Sequence, residues 1–413
     1  MSFTEFYCQT TADNLNAGST TSDAAAFTYA GGTFVRSTGV FTVASGNPSS
    51  DGVAVGDFAS IYTTSGATVA TCVGRVTARD ATTITISTTA LSGATSAVSE
   101  SAGASTCKVG GAWKGPNGAV AFPFGFAAAA MMDASSNCPR VNFKSGTNYA
   151  ITANMAHSIS GPVRFEGYTT TVGDGGRATI DGGTSGASYV LLTASGHYNY
   201  FAYLIFQNNG ATGSSDGMTC SGESTTLFNV VVNSVRATGI NCTGNYGNAI
   251  ECEVYSIGQG GSKFGFETSP TWHYTRCIVH DCTSTNSGFY GDSTFIDCIA
   301  DSNGTDGWQT ASLGSYWNGC SAYNNGRDGI RINNSAARRY VVENSSFVLN
   351  GGYGINGAGS GGRNGHVINC GFGSGTKANT SGTTTGLKGM YESGTVTFTS
   401  NTEPWTGAST GDF

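Results

Sequence analysis

Charge is what this sequence has least of. Asp, Glu, Lys and Arg make up 11% of its 413 residues, less than half the usual share of about 25%. That scarcity argues against a helical protein, whose surfaces are normally filled with Glu, Lys and Arg. It argues equally against a disordered acidic or basic chain, which depends on like charge. The net charge of −7 is spread along the chain, and the longest basic run is Arg338-Arg339, so no nucleic-acid partner is expected. Long apolar runs are also missing. The longest, around FPFGFAAAAMM at 122–132, is too short to cross a bilayer, so no membrane partner is expected. The opening MSFTEFYCQTTADN lacks the basic and apolar regions of a secretory signal. A soluble protein made in the cytoplasm without a cleavable signal is therefore expected. Twelve cysteines fall short of a disulfide scaffold, and no Cys-x-x-Cys pair suggests a metal site. Buried reduced thiols are expected, with no metal and no cofactor.

What the chain has in excess is glycine, 62 residues, about twice the usual 7% share. Together with abundant Ser, Thr and Asn, this fits many short strands joined by glycine-rich turns, an all-β chain.

A repeat organises the second half. With Cys320 as place zero, a small residue stands at place +2 (Ala322) and a glycine-apolar pair follows (Gly329-Ile330). The same frame reads Cys298, Ala300 and Gly307-Trp308; Cys277, Val279 and Gly288-Phe289; Cys252, Val254 and Gly265-Phe266; and Val230, Val232 and Gly239-Ile240. It continues as Ser345, Phe347 and Gly354-Ile355, then Cys370 and Phe372. Successive starts at 230, 252, 277, 298, 320, 345 and 370 are 22, 25, 21, 22, 25 and 25 residues apart. A unit of this length with short strands and no helical half predicts a coil that stacks on its predecessor, a parallel β-solenoid. Places zero and +2 point inward together because strand side chains alternate. Cys behaves there as a small hydrophobe. A second interior column is expected at Cys220, Cys242, Phe264, Thr310 and Ile332, with Trp308 in the core and Cys282 outward.

The register Cys-x-[Val/Ala/Phe]…Asn-Gly…Gly-Ile resembles the right-handed parallel β-helix of the pectin-lyase-like superfamily. PVRFEGYTTTVGDGGRATIDGG, at 162–183, resembles that family's early coils. The resemblance covers 138–385 and implies roughly 11 coils stacked about 4.8 Å apart. Ahead of it, residues 1–121 lack the register and read as strand pairs, for example across 53–88, of a small β-barrel or sandwich. Residues 122–137 are expected to form a short capping helix or linker, and 386–413 a last strand and an extended tail.

The fold hosts many enzymes. Polygalacturonase-type hydrolases of the family carry Asn-Thr-Asp, Asp-Asp, Gly-His-Gly and Arg-Ile-Lys in order. The nearest stretches here are Asn303-Gly304-Thr305-Asp306, Arg331-Ile332-Asn333 and Gly365-His366-Val367. Asp-Asp is missing and Arg precedes His, so no catalytic residue carries over. One geometric candidate remains. Asp306 and Asp328 share place +8 on adjacent coils, about one strand spacing apart. That spacing suits a retaining glycosidase's carboxyl pair or a cation. The competing reading makes each Asp the start of an Asp-Gly turn, with Gly at positive φ, as Asp216-Gly217 also suggests. Asn303, Asn325 and Asn350 at place +5 read as an amide ladder. His280 beside Asp281 reads as an outward, solvated histidine. Tyr255, Tyr316, Trp317 and Tyr323 are candidate contacts for a glycan or another subunit.

A small β module followed by a short β-helix also resembles virion components of tailed phages: spikes, fibres and capsid decoration proteins. The resemblance implies attachment to the particle through the N-terminal module and a homo-oligomer, commonly a trimer. It further implies capsid or tail proteins, and surface polysaccharide, as partners. The alternative is a polysaccharide lyase or glycoside hydrolase of the same fold.

Overall fold

In a computed structural model, residues 4–8, 24–64, 72–87, 98, 100–110, 139–146, 148–151, 153–157, 162–258, 263–283, 287–311, 314–332, 339–356, 364–373, 378–379, 387–388 and 391–392 are described. The expected helix at 122–137 and nearly all of 386–413 lie outside them. The chain divides into two compact units, one formed by 1–181 with 200–204, the other by 182–199 with 205–413. Among the described residues no helix is long and apolar enough to cross a membrane.

The first unit contains the expected small module, a closed barrel. Its strands run Phe27–Val35, Val40–Thr42, Thr83–Ile86, Cys72–Arg79, Phe58–Thr63 and Ser105–Val109 around the ring, each antiparallel to its neighbours. Alternation sends Phe34, Phe41, Ile61, Ile84 and Val109 inward. A single turn of helix, Pro48–Asp51, starts where the Asn47 side chain accepts the Ser50 N–H. Thr4–Cys8 pairs parallel with Pro139–Lys144, which in turn pairs with Val163–Tyr168, so the first of the described strands is no part of the barrel.

The second unit is a right-handed parallel β-helix, the solenoid having about eight turns where roughly 11 coils are expected from the sequence. Each complete coil contributes one strand to each of three sheets. In coil 298 the first-sheet strand is Thr294–Ile296, the second-sheet strand Ile299–Asp301 and the third-sheet strand Trp308–Gln309. Among the described residues the pairings between coils are parallel. Val232, Val254, Val279, Ala300, Ala322, Phe347 and Phe372, all place +2, stand directly above one another. Aromatic rings stack the same way. Phe266, Phe289 and Trp308 lie 5.2 and 5.3 Å apart in near-parallel planes. Tyr274, Phe295 and Trp317 lie 5.3 and 5.8 Å apart.

The two bends flanking the second sheet follow from backbone handedness. Asn229, Glu251, Arg276, Asp297, Asn344 and Asn369, at place −1, have φ between 50° and 55°. Ser234, Ser256, Asp281, Ser302 and Asn324, at place +4, have φ between 51° and 53°. Short polar side chains, which dominate these places, tolerate the left-handed region by bonding locally. The glycine of each glycine-apolar pair answers a different need. Gly217, Gly307 and Gly329 are not among the positive-φ residues, which corrects the expected Asp-Gly turn. A Cβ on Gly307 would meet the Gly329 carbonyl oxygen at 2.6 Å, and one on Gly329 would meet that of Gly354 at 2.5 Å. Glycine is required because one coil's backbone rests against the next.

Candidate functional site

Asp306 and Asp328 are brought together as their spacing predicts, but as clamps between coils. Both are buried, with 0% and 1% exposure. Asp306 Oδ1 accepts the Asp328 backbone N–H at 3.2 Å and the Arg327 Nε–H at 2.7 Å. The second Arg327 nitrogen, Nη2, bonds Oδ2. Asp328 repeats the device on the next coil, accepting the Tyr353 N–H at 2.8 Å and the Asn356 amide at 2.9 Å. Asp216 does the same earlier, with the Thr238 N–H at 3.2 Å and the Asn241 amide at 3.0 Å. Burial holds the Asp328 carboxyl above its usual range, against the pull of the Tyr353 and Asn356 bonds. Arg327, for which the sequence offered no role, is the counter-ion that closes this corner.

The amide ladder forms as expected. The Asn303 side chain donates to Val279 O at 3.2 Å and to Asn325 Oδ1 at 3.0 Å. Asn325 donates to Ala300 O at 3.0 Å and to Asn350 Oδ1 at 2.9 Å, and Asn350 to Ala322 O at 3.2 Å. Buried donors are matched with carbonyls that the bend would leave unpaired. Cys282 lies in this same inward column, five places after Cys277, and is only 4% exposed; its expected outward position is corrected. Burial pushes its thiol up, as it pushes the Cys370 thiol up to about 11, so both are poor nucleophiles.

The four aromatic candidates do not share a face. Trp317 is wholly buried and stacks on Phe295, so it is corrected to a core residue. Adjacent strand residues point to opposite sides, which leaves Tyr316 outside, its hydroxyl 2.8 Å from Glu343 Oε2. Tyr255 stacks on His280, centroids 5.0 Å apart, and Tyr323 is 45% exposed farther along that flank. His280 is held by Asp281 through Nδ1 at 2.8 Å and by Glu253 through Nε2 at 3.1 Å. Burial lowers its pKa, but the bonds to Asp281 and Glu253 outweigh that and hold the imidazole above its usual range. Phe264, placed inside by the sequence, is half-buried and stacks on Tyr290 at 4.1 Å. Phe266, the apolar half of its glycine-apolar pair, is in register with Ile240, so Phe264 stands two residues before that place and outside the Cys220–Cys242 column.

One group was missed. On the outer side of the third sheet, Glu267 is half-buried and lies across Asn241 in the ladder. Burial, reinforced by the Asp216 charge, holds its carboxyl above the usual range against the opposing influence of Lys263 and Thr238. Thr238 joins the two acids, its N–H bonded to Asp216 and its hydroxyl 3.5 Å from Glu267 Oε2. A carboxyl held toward its neutral form beside a hydrogen-bonded carboxylate is the arrangement general acid catalysis uses. No sequence signal marked it, because Glu267 occupies a strand place that elsewhere holds Tyr290, Gln309 and Arg331. Among the described residues no group of three or more His, Cys, Asp or Glu is placed to hold a metal ion.

Residues 216–372 match the family model described as right handed beta helix region. No curated protein sequence matches the chain. Among solved structures, the fold is similar to pectate lyase Pel9A at 18% identity, over 69% of this chain and 75% of that one, TM-score 0.44. It is similar to the A-module of the Azotobacter vinelandii mannuronan C-5 epimerase AlgE6 at 10% identity, over 68% and 85%, TM-score 0.47. It is also similar to the Dettilon tailspike protein gp208 at 13% identity, over 64% of this chain and 62% of that one, TM-score 0.44. The chain thus spans less than two thirds of that tailspike.

Proposed function

We propose that the chain is a structural component of a phage particle, a spike, fibre or capsid-surface decoration protein. In this reading the barrel is the attachment module and the β-helix a stiff arm. It assembles as a homo-oligomer, with a trimer favoured, on other virion proteins of the capsid or tail, and its exposed flank meets surface polysaccharide. The observation that carries the reading is the state of Asp306 and Asp328. The carboxylates best placed by sequence for chemistry are buried and taken up in tying coil to coil. Strength against unfolding, rather than turnover, is what such side chains supply. The pairing of a small β module with a β-helix supports the virion assignment. The test is sedimentation of the purified chain together with its incorporation into particles of a phage lacking the gene. A trimer that restores particle composition supports the reading; a monomer that never enters particles defeats it.

The Asp216–Glu267 pair favours a second reading, a polysaccharide lyase or glycoside hydrolase. Glu267 would serve as the acid, and the stacked Phe264–Tyr290 pair spans its own strand and the next. Release of reducing ends or unsaturated sugars, abolished in Glu267→Gln and retained in Asp306→Asn, would establish it.

A further inference from the structure

We infer that the coil corner carrying Tyr198 and Tyr246 is a binding ledge for an extended, uncharged polysaccharide. The Tyr198 N–H donates to Glu223 O at 2.9 Å and the Ser224 N–H to Asn245 O at 2.8 Å. Residues 198, 224 and 246 therefore hold the same corner on three successive coils. All three are left-handed, with φ of 60°, 55° and 58°. Serine accepts that region by local hydrogen bonding, but a bulky aromatic residue there is a backbone outlier that costs stability. Burial does not offset the cost, because the two tyrosines are 62% and 66% exposed. A strained and exposed ring, repeated on two coils, is what a surface selected for contact retains.

The dimensions and chemistry narrow the ligand. Two coil steps separate the rings by about 10 Å, comparable to one disaccharide unit of an extended chain, so each ring can stack beneath every second sugar. Tyrosine suits the task, with an apolar face for sugar C–H groups and a hydroxyl at its wet end. Polar groups line the ledge: His197, whose Nδ1 accepts the Glu223 N–H at 3.1 Å, Asn245, and Thr271, whose hydroxyl accepts the Tyr246 N–H at 2.9 Å. The corner segments 196–198, 221–224, 243–247 and 268–272 contain no Lys or Arg, and Glu223 would repel a polyanion. An uncharged glycan therefore fits and a polyuronate does not. The ledge ends at the next coil, where Trp272 is fully buried and donates Nε1–H to Gly244 O at 2.7 Å. This inference rests on the polysaccharide contact proposed above and makes it specific, and it uses neither Asp216 nor Glu267.

The test is calorimetric titration of the full chain with cellohexaose, maltohexaose and hexagalacturonate, repeated on the Tyr198→Gly/Tyr246→Gly double variant. Glycine adopts positive φ without strain, so the denaturant midpoint of that variant should hold or rise. At least one uncharged hexasaccharide should bind, hexagalacturonate should not, and the double variant should lose at least tenfold in affinity. The inference is overturned if neither neutral hexasaccharide binds, if hexagalacturonate binds as well, or if the double variant binds undiminished. It is also overturned if the midpoint falls in the double variant, since the tyrosines would then be holding the fold.

Discussion

Asp306 and Glu267 are both acids on the outer margin of the third sheet, two coils apart, and they meet opposite fates. Asp306 stands where the coil above supplies a backbone N–H and the chain a guanidinium, so its oxygens are saturated. Glu267 is half-buried on its strand, reached by a weak hydroxyl contact from Thr238, the charge of Asp216 and the opposing charge of Lys263. Stacking therefore does not in itself create a reactive pair in a β-helix. It consumes carboxylates wherever they meet the next coil's backbone, and leaves them adjustable only beyond that line.

The contrast can be broken by attacking the saturated side first. Asn325→Ala deletes the middle rung of the amide ladder and leaves buried carbonyl and N–H groups unpaired, which should lower stability by about 3 kcal/mol; a urea titration reads it as a shifted midpoint. Arg327→Met comes next. It leaves the buried Asp306 carboxyl without its guanidinium partner, but that guanidinium is 42% exposed, so solvent screening reduces the loss to about 1–2 kcal/mol. Adding Asp306→Asn to that variant should recover part of it, and no recovery would mean the pair is not coupled.

Glu267→Gln should act in the other direction. The folded carboxyl sits above its unfolded range, so the folded state resists its ionisation and loses stability as pH rises through that interval. The variant should match the parent at acid pH and be slightly more stable at neutral pH, which paired unfolding curves would show. The smallest effect belongs to His280→Gln. A raised histidine pKa stabilises the fold at pH below the ordinary histidine range and ceases to do so as pH rises through the folded value. With the imidazole 26% exposed, the loss at low pH should stay below about 1 kcal/mol and vanish at alkaline pH. An NMR titration of the ring checks the direction independently.

Repetition made most of the fold legible. Cys298, Cys320 and the place +2 column lie inside because a coil that stacks in register must repeat its interior, and the same logic found the Asn303–Asn325–Asn350 ladder. Errors arose where repetition could not speak. Trp317 was grouped with Tyr316 although neighbours on a strand face opposite ways. Cys282, expected outward, occupies the inward column of Asn303. The glycines of Asp306-Gly307 and Asp328-Gly329 were read as turn residues, whereas an approach of backbone to backbone, invisible in one dimension, requires them. Glu267 and the Tyr198–Tyr246 corner were missed for the converse reason: each departs from its column, and a sequence frame built on recurrence passes over departures.

In the structural role proposed above, the carboxylates at Asp306 and Asp328 hold coils together. The most direct test of that role is the Asp306→Asn/Asp328→Asn double variant, measured for its urea midpoint and for sugar release from polysaccharide under the same conditions. A lowered midpoint with whatever sugar release the parent shows left unchanged, after correction for the folded fraction, is the predicted result. An unchanged midpoint with sugar release abolished would contradict it.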